Sequence, residues 1–234
     1  MTTENELDGL LARTVRQIKE LETTAFDKAA ADRPLVLYGA GATGRKALAL
    51  LRAHGIKPLA FCDGKADRAH LLEGVEVLPP KEAAARYGGS AAFVVTVWNR
   101  EKHSRFETIE GNLSALGCKT VIPFPLLAWK YNCVLPFFHL DLPHRLLEHK
   151  ENIKRAFRLF EDEFSRTLFL ANIKARLLGD INALPPSAPE EAYVPRGLVS
   201  MGPDEIFIDG GAYDGDTIKL LLGRGASFKK IEAF

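Results

Sequence analysis

Short apolar runs alternate with helical stretches over residues 34–125, and this alternation constrains the fold more than any other feature of the chain. The runs LVLY, PLAFC and AAFVVTV are rich in the β-branched and large apolar residues typical of buried strands. Strand, helix and strand at this spacing predict a parallel sheet with right-handed crossovers. The further elements predicted here are helices at Arg45–His54, residues 81–88 and His103–Leu116, and strands within EGVEVLPP and KTVIPF.

The remaining residues divide into three further segments. Apolar residues recur at three- and four-residue intervals over residues 4–30, which predicts one amphipathic helix. Residues 124–150 show no period and are interpreted as a linker, whereas residues 151–180 are helical in pattern and end near Gly179. EIFID, a helix from about Asp216, and FKKIEAF begin a second strand–helix–strand set. The predicted domains are an N-terminal helix over residues 1–30, an α/β domain over residues 31–125, a linker and helical connector over residues 126–195, and the start of a second α/β domain over residues 196–234.

Charge and hydropathy narrow the classes of partner. The chain carries 31 Lys and Arg against 30 Asp and Glu, so no overall field attracts it to nucleic acid or to an anionic membrane. Its N-terminus lacks a basic start followed by an apolar run, and the most apolar stretch, VIPFPLLAW, is interrupted by two prolines. These features predict a cytoplasmic protein with neither nucleic acid nor membrane as a partner.

The cysteine and histidine patterns predict no metal site. The cysteines are far apart and form no C-x-x-C pair, which indicates buried, reduced thiols. Three histidines are spaced five residues apart, so they do not share one helix face as an i, i+4 metal pair does. The residues concerned are Cys62, Cys118, Cys133, His139, His144 and His149.

The first glycine-rich turn, YGAGATGRK, lies between a predicted strand and a predicted helix. G-x-G-x-x-G spacing lets the backbone turn tightly and lets a ligand approach its amides; here the glycines are Gly39, Gly41 and Gly44. Arg45 and Lys46 follow at the helix N-terminus, a combination that suits a phosphate. Asp63 ends the next strand, where an acid meets a ribose hydroxyl in dinucleotide-binding folds.

Two interpretations of this turn stay open. One is a Rossmann-like domain that binds a nucleotide or a nucleotide-sugar and delivers an acceptor. The other is a nucleotide-type fold in which the glycines only allow tight packing. An NAD(P)-dependent oxidoreductase is the least favoured alternative, because no Tyr-x-x-x-Lys or comparable pair follows the turn.

The second turn, DGGAYDGDT, has the opposite charge. Its glycines follow D-x-G-x-x-x-G, and it carries three carboxylates, those of Asp209, Asp214 and Asp216. Each would repel a pyrophosphate by on the order of 1–4 kcal/mol at about 4–6 Å. S-adenosylmethionine is a better match, because it has no phosphate and carries an ammonium and ribose hydroxyls that donate to carboxylates. The spacing does not match a calcium-binding EF-hand loop.

The stretch EDEFSRTLFLANIKARLLGD, together with GAYDGDT and the residues around it, resembles the FkbM family of S-adenosylmethionine-dependent methyltransferases. Residues 155–234 carry most of the likeness. Residues 34–125, with YGAGATGRKAL and the VWN that follows the third strand, resemble the leading nucleotide-fold domain of one subgroup. The resemblance implies a Rossmann-like sheet domain, a helical connector and the first strand–helix–strand of a second Rossmann-like domain, the methyltransferase domain.

The resemblance also implies the site and the reaction. The cofactor-binding residues it implies are Asp209, Gly210, Gly211, Ala212, Tyr213, Asp214, Gly215 and Thr217. The parent enzyme would O-methylate a glycan or a secondary metabolite, and no catalytic base is assigned. The family continues into Glu-Pro-Asp after the AF that ends this sequence, so we expect the N-terminal portion of such an enzyme. Because residues 196–234 are too few to bury their own core, we expect weak cofactor binding and packing of the bare strands on another element or copy.

Overall fold

The computed structural model describes residues 2–97, 105–131, 141–186 and 201–234. The chain forms two compact units, Met1–Pro185 and Pro186–Phe234, and each is described by itself. None of the helices in the described ranges is long and apolar enough to cross a membrane.

The first unit contains a six-stranded sheet in the order β3-β4-β2-β1-β5-β6. All neighbouring strands are parallel except β3, which pairs antiparallel with β4 at one edge. Taken in chain order, the parallel strands follow the Rossmann arrangement, with the order reversing between β1 and β5. The strands are β1 Leu35–Tyr38, β2 Ala60–Cys62, β3 His70–Leu72, β4 Val75–Leu78, β5 Ala92–Val95 and β6 Thr120–Pro123.

Both faces of this sheet are covered by helices. The central strands are almost wholly buried because alternate side chains enter cores on opposite faces, Leu37 on one face and Val36 on the other. Residues of α2, α3 and α6 pack on the first face, and residues of α4 and α5 on the second. These helices are α2 Val15–Ala30, α3 Ala42–Ala53, α4 Pro80–Tyr87, α5 Phe106–Ala115 and α6 Phe124–Lys130.

A helical cluster completes the first unit. It comprises α1 Thr3–Leu11, part of α2, α7 Pro143–Glu148, α8 Lys150–Phe157 and α9 Glu163–Leu178, followed by a 3₁₀ turn at Ile181–Ala183. The acidic α1 is tied to α8 and α9 by ion pairs, including Asp8 with Lys154 at 2.8 Å and Glu6 with Lys174 at 2.5 Å. Leu7, Leu10 and Leu11 of α1 are buried in the cluster.

Two predicted helices are each broken into two by an N-cap. The single helix expected over residues 4–30 is α1 and α2, because Thr14 and Gln17 form a capping box that restarts the helix. The helix expected over residues 151–180 is α8 and α9, because the Asp162 carboxylate accepts from the Ser165 amide at 2.7 Å. Gly179, at φ 74°, ends α9 as predicted.

Two further differences concern elements without a clear period. The aperiodic linker expected from residue 124 contains α6 and α7, whose prolines lie in the first helical turn, where a missing N–H costs nothing. Strand β3 was not predicted: it is short, its first two residues are exposed, and it makes the sheet mixed where an all-parallel one was expected. Trp98 and Asn99 of the VWN motif, with Cys133 and His139, lie outside the described residues.

The second unit has the predicted strand–helix–strand order. It contains β7 Ile206–Asp209, α10 Asp216–Gly223 and β8 Lys230–Ala233, with β7 and β8 parallel. Exposure alternates along β7: Ile206 and Ile208 are 55% and 63% exposed, whereas Phe207 faces Phe228 with the ring centroids 5.8 Å apart. One face of β7 therefore presents apolar side chains to solvent in this unit.

Candidate functional site

The first glycine turn joins β1 to α3 at the point where the strand order reverses. Gly39 adopts φ +108° and donates its N–H to the Cys62 carbonyl at 2.7 Å. The buried Thr96 hydroxyl, at the end of β5, lies 2.9 Å from the Tyr38 carbonyl and 3.0 Å from the Gly39 carbonyl. The turn is thus fastened to the strands on both sides of it.

The three glycines of this turn have different reasons to be glycine. A Cβ on Gly44 would lie 1.9 Å from the Gly39 carbonyl oxygen, and one on Gly39 would lie 2.8 Å from Val97 Cγ2. A Cβ on Gly41 would have no heavy atom within 4 Å. Packing therefore requires Gly39 and Gly44, while Gly41 borders open space.

Asp63 lies beside the turn, and its carboxylate has partners within the protein. Its Oδ2 accepts from the Ala40 amide at 2.7 Å, and its Oδ1 accepts from the Lys65 amide at 2.8 Å. Asp63 thus braces the turn, and each oxygen retains a lone pair for a hydroxyl. Arg45 is exposed on the first turn of α3, and within the described ranges no side chain caps the start of that helix.

Two buried thiols near the first turn, those of Cys62 and Cys118, are held in their neutral form. Burial raises the pKa of Cys62 to about 12, with smaller contributions from Cys118 and Asp63. Burial likewise raises the pKa of Cys118, and burial with Cys62 and Asp63 nearby raises that of Tyr38. A thiol that stays protonated is a poor nucleophile, so neither cysteine is suited to covalent catalysis.

The second glycine turn joins β7 to α10 and uses its amides internally. The Gly211 and Ala212 amides both donate to the Phe234 carbonyl at 2.9 Å, and the Gly215 amide donates to the Ala212 carbonyl at 2.6 Å. Gly211 and Gly215 have positive φ angles of 92° and 76°. Tyr213 also has a positive φ, 44°, and its side chain is 98% exposed. The backbone of Tyr213 is therefore strained, and its exposed side chain has no packing that would offset the strain.

Carboxylates occupy the start of α10. Asp214 Oδ1 accepts from the Asp216 amide at 3.2 Å, and Asp216 Oδ1 accepts from the Thr217 amide at 2.9 Å. Lys219 donates to the Asp214 carbonyl at 2.7 Å and lies 3.7 Å from Asp214 Oδ2. A phosphate at this helix end would meet carboxylates where it needs free amides.

The residues of the second turn fit a ligand that has donors and no phosphate. Asp209 Oδ2 is buried and has no hydrogen-bond partner within the described part of the chain. A Cβ on Gly210, Gly211 or Gly215 would have nothing within 4 Å, so open space borders these three glycines. An ammonium or hydroxyl donor would satisfy Asp209, because a buried unpaired acceptor is costly. The carboxylates of this turn therefore suit a ligand that has hydrogen-bond donors and no phosphate.

Two bracing residues were not predicted from the sequence. Thr96 holds the first turn and Lys219 holds the second. Lys219 follows its partner Asp214 by five residues, which is not one of the spacings at which helical side chains pair. Thr96 offers no sequence signal either, because its partners belong to another strand.

The described ranges contain no group of three or more His, Cys, Asp or Glu side chains placed to hold a metal ion. His144 instead pairs with the buried Glu22, its Nδ1 lying 2.9 Å from both carboxylate oxygens. His149 lines a cleft between helices α7, α8 and α9.

No protein-family model matches the chain, and no curated protein matches it either. A solved structure does: the crystal structure of methyltransferase FkbM from Methylobacillus flagellatus KT, at a TM-score of 0.61 and 14% identity. The match covers 99% of this chain and 63% of that chain. The chain therefore spans less than two thirds of the length of that methyltransferase. The likeness confirms the predicted α/β fold with a mostly parallel sheet.

Proposed function

We propose that the chain is part of an S-adenosylmethionine-dependent methyltransferase of the FkbM type. The observation that carries the proposal is the second glycine turn, where Asp209 keeps a buried carboxylate oxygen that has no hydrogen-bond partner among the described residues, and where the glycines border open space. The fold shared with the FkbM methyltransferase supports it. So does the sequence likeness of GAYDGDT to that family.

The residues of the second turn divide the work of holding the cofactor. Asp209 accepts from the ammonium or a ribose hydroxyl, and the glycines at 210, 211 and 215 admit the ligand close to the backbone. Asp214 and Asp216 fix the start of α10 and exclude phosphates, and the buried Thr217 anchors that helix. Ala212 and Tyr213 complete the loop. Bound S-adenosylmethionine supplies a methyl group on a sulfonium for transfer to a nucleophile.

Asp214 and Asp216 are given the role of shaping the loop, where each carboxylate accepts from a backbone amide, and no base is assigned. The proposed acceptor is a hydroxyl of a glycan or secondary metabolite, in a cytoplasmic enzyme. The exposed apolar face of β7 leads us to expect cofactor affinity weaker than low micromolar for these residues alone.

A nuclear magnetic resonance titration tests the proposal because it detects weak binding. Adding S-adenosylmethionine to the ¹⁵N-labelled chain should shift the amides of residues 209–217, and equal concentrations of NADH should not. Asp209→Asn should reduce the shifts, whereas Asp204→Asn, an exposed position before β7, should leave them unchanged. Shifts produced at this turn by NADH and not by S-adenosylmethionine contradict the proposal.

The open space at Gly41 supports a second candidate, a nucleotide or nucleotide-sugar module in the first unit. The crevice at the reversal of strand order is where ligands bind in such sheets. Gly39, Gly44, Arg45 and Asp63 surround that position. Thermal shifts with NAD, NADP or sugar nucleotides that disappear in Gly41→Val would support this module. Flat curves with every nucleotide would rule it out.

A further inference from the structure

A cleft of about 580 Å³ lies between α7, α8 and α9 of the first unit, and none of its lining residues belongs to the first glycine turn. Its volume falls in the range of small-molecule sites, roughly 300–1,000 Å³. Each helix contributes one face, as shown by the three- and four-residue spacing of Ile153 and Ala156 on α8 and of Phe169, Ile173 and Arg176 on α9.

The floor of the cleft is apolar and includes an aromatic ring. Leu146, Ile153 and Ile173 line it together with Phe169, which is partly buried. The Phe169 ring is held by tilted contacts with Phe160 and Phe157, at centroid distances of 5.4 Å and 6.1 Å. A fixed, partly exposed ring offers an apolar surface to a ligand.

The rim of the cleft is polar, electrically balanced and mostly unpartnered. Asp141 and Arg145 form an exposed ion pair at 3.3 Å. Among the described residues, the side chains of the other four rim residues make no hydrogen bond or ion pair: Glu148, His149, Asn152 and Arg176. The two arginines of the rim are balanced by one aspartate and one glutamate, so the rim favours neither an anionic nor a cationic ligand.

We propose that this cleft binds a carbohydrate. Carboxylate, amide, imidazole and guanidinium groups supply the planar donors and acceptors that neighbouring hydroxyls require, and the Phe169 floor suits the apolar C–H face of a sugar ring. The balanced charge disfavours nucleotides and other anions, and the charged rim disfavours a lipid chain. That the bound sugar belongs to the methyl acceptor rests on the proposed function; the binding itself does not.

The test is a titration of the ¹⁵N-labelled 234-residue chain with neutral saccharides. The panel contains glucose, galactose, mannose, N-acetylglucosamine and their β-linked dimers, up to tens of millimolar. At least one should shift amides of α7–α9. Asn152→Ala should weaken that binding by about fivefold, the worth of one hydrogen bond. Asn172→Ala, an exposed asparagine of α9 outside the cleft, should leave it unchanged.

A second matched pair guards against an indirect effect of the first variant. Glu148→Ala should weaken binding, and Glu151→Ala, exposed on α8 and outside the cleft, should not. The proposal is overturned if no saccharide shifts α7–α9, if inorganic phosphate shifts them more than any saccharide, or if the cleft and control variants behave alike. Binding of S-adenosylmethionine is measured at residues 209–217, and binding of saccharides is measured at α7–α9. Failure of the proposed function and failure of the carbohydrate proposal are therefore distinguishable.

Discussion

The two glycine turns share the order strand, turn, helix, and they differ in what lies at the start of the helix. Helix α3 has Gly41 as its N-cap, without a side-chain hydrogen bond, and carries Arg45 and Lys46 near its start. At α10 the carboxylates of Asp214 and Asp216 accept from the first amides. The same strand–turn–helix backbone is thus compatible with ligands of opposite charge. The class of ligand depends on whether side chains accept hydrogen bonds from the first amides of the helix or leave those amides free.

The turns also differ in burial. The first is enclosed by β1, β2 and β5, and packing or an internal hydrogen bond accounts for Gly39, Gly44 and Asp63. The second is open: its glycines meet nothing within 4 Å, and Tyr213 is almost fully exposed. Substitutions in the first turn should therefore act through steric clash and lost hydrogen bonds. Those in the second should act through backbone conformation and charge.

The largest expected effect is that of Gly44→Ala. Its Cβ would lie 1.9 Å from the Gly39 carbonyl oxygen, a clash between backbone atoms that no side-chain movement relieves. We expect a loss of about 5 kcal/mol or failure to fold, measured by chemical denaturation. Gly41→Ala is the control: its Cβ enters open space, and it should cost at most about 1 kcal/mol as a poorer N-cap. Equal costs for the two variants would show that helix α3 is not packed against the turn as described.

Alkaline pH should weaken the buried frame of the first turn. Burial raises the pKa of Cys62 from 9.0 to about 12, so the folded state opposes a thiolate that the unfolded chain forms freely. The contribution of Cys62 to the free energy of unfolding is fully present below about pH 9. It is lost as the pH rises towards about 12, which lowers the free energy of unfolding by about 3–4 kcal/mol. Denaturation curves across this pH range should show a shallower decline in Cys62→Ala. Parallel declines in both proteins would contradict the assignment.

Asp63→Ala should lower the free energy of unfolding of the ligand-free chain by about 2 kcal/mol. It leaves the Ala40 amide, which donates to Asp63 Oδ2 at 2.7 Å, without its acceptor. Asp63→Asn retains one acceptor oxygen and should cost less than half as much. The measurement is chemical denaturation of the ligand-free chain. If Asp63→Ala is as stable as the parent chain, the carboxylate does not brace the turn, and a role in ligand binding alone becomes the better explanation.

The sheet of the first unit was predictable because buried parallel strands appear as uninterrupted apolar runs, such as AFVV in β5. Strand β3 was not, because its first two residues, His70 and Leu71, are exposed and it pairs only at one edge. The breaks at Thr14 and Asp162 have local signals, the N-caps themselves. Those signals were outweighed by the apolar periodicity, which continues across each break.

Glycine spacing located both turns, because a turn of this kind depends on local backbone freedom. The partners of the side chains around the turns depend on distant residues. Asp63 bonds to Ala40 across neighbouring strands, and Asp209 Oδ2 has no hydrogen-bond partner among the described residues of its unit. Neither fact has a signature in the order of residues along the chain.

The smallest expected effect separates the second turn from the first. Gly215 has φ +76° at the N-cap of α10, and a Cβ there would meet no atom within 4 Å. Gly215→Ala should therefore cost only the conformational penalty of the left-handed region, about 1–2 kcal/mol, and Gly215→Asn less. Gly210→Ala, with equal space and no positive φ, should cost less still.

Hydrogen exchange at the Lys219 amide, which donates to the Gly215 carbonyl at 2.9 Å, reports the opening of α10. Faster exchange in Gly215→Ala than in Gly210→Ala would confirm that backbone conformation, and not packing, requires glycine here. Equal exchange rates would mean that the second turn relaxes around a side chain, and its glycines would then be better explained by contact with the ligand.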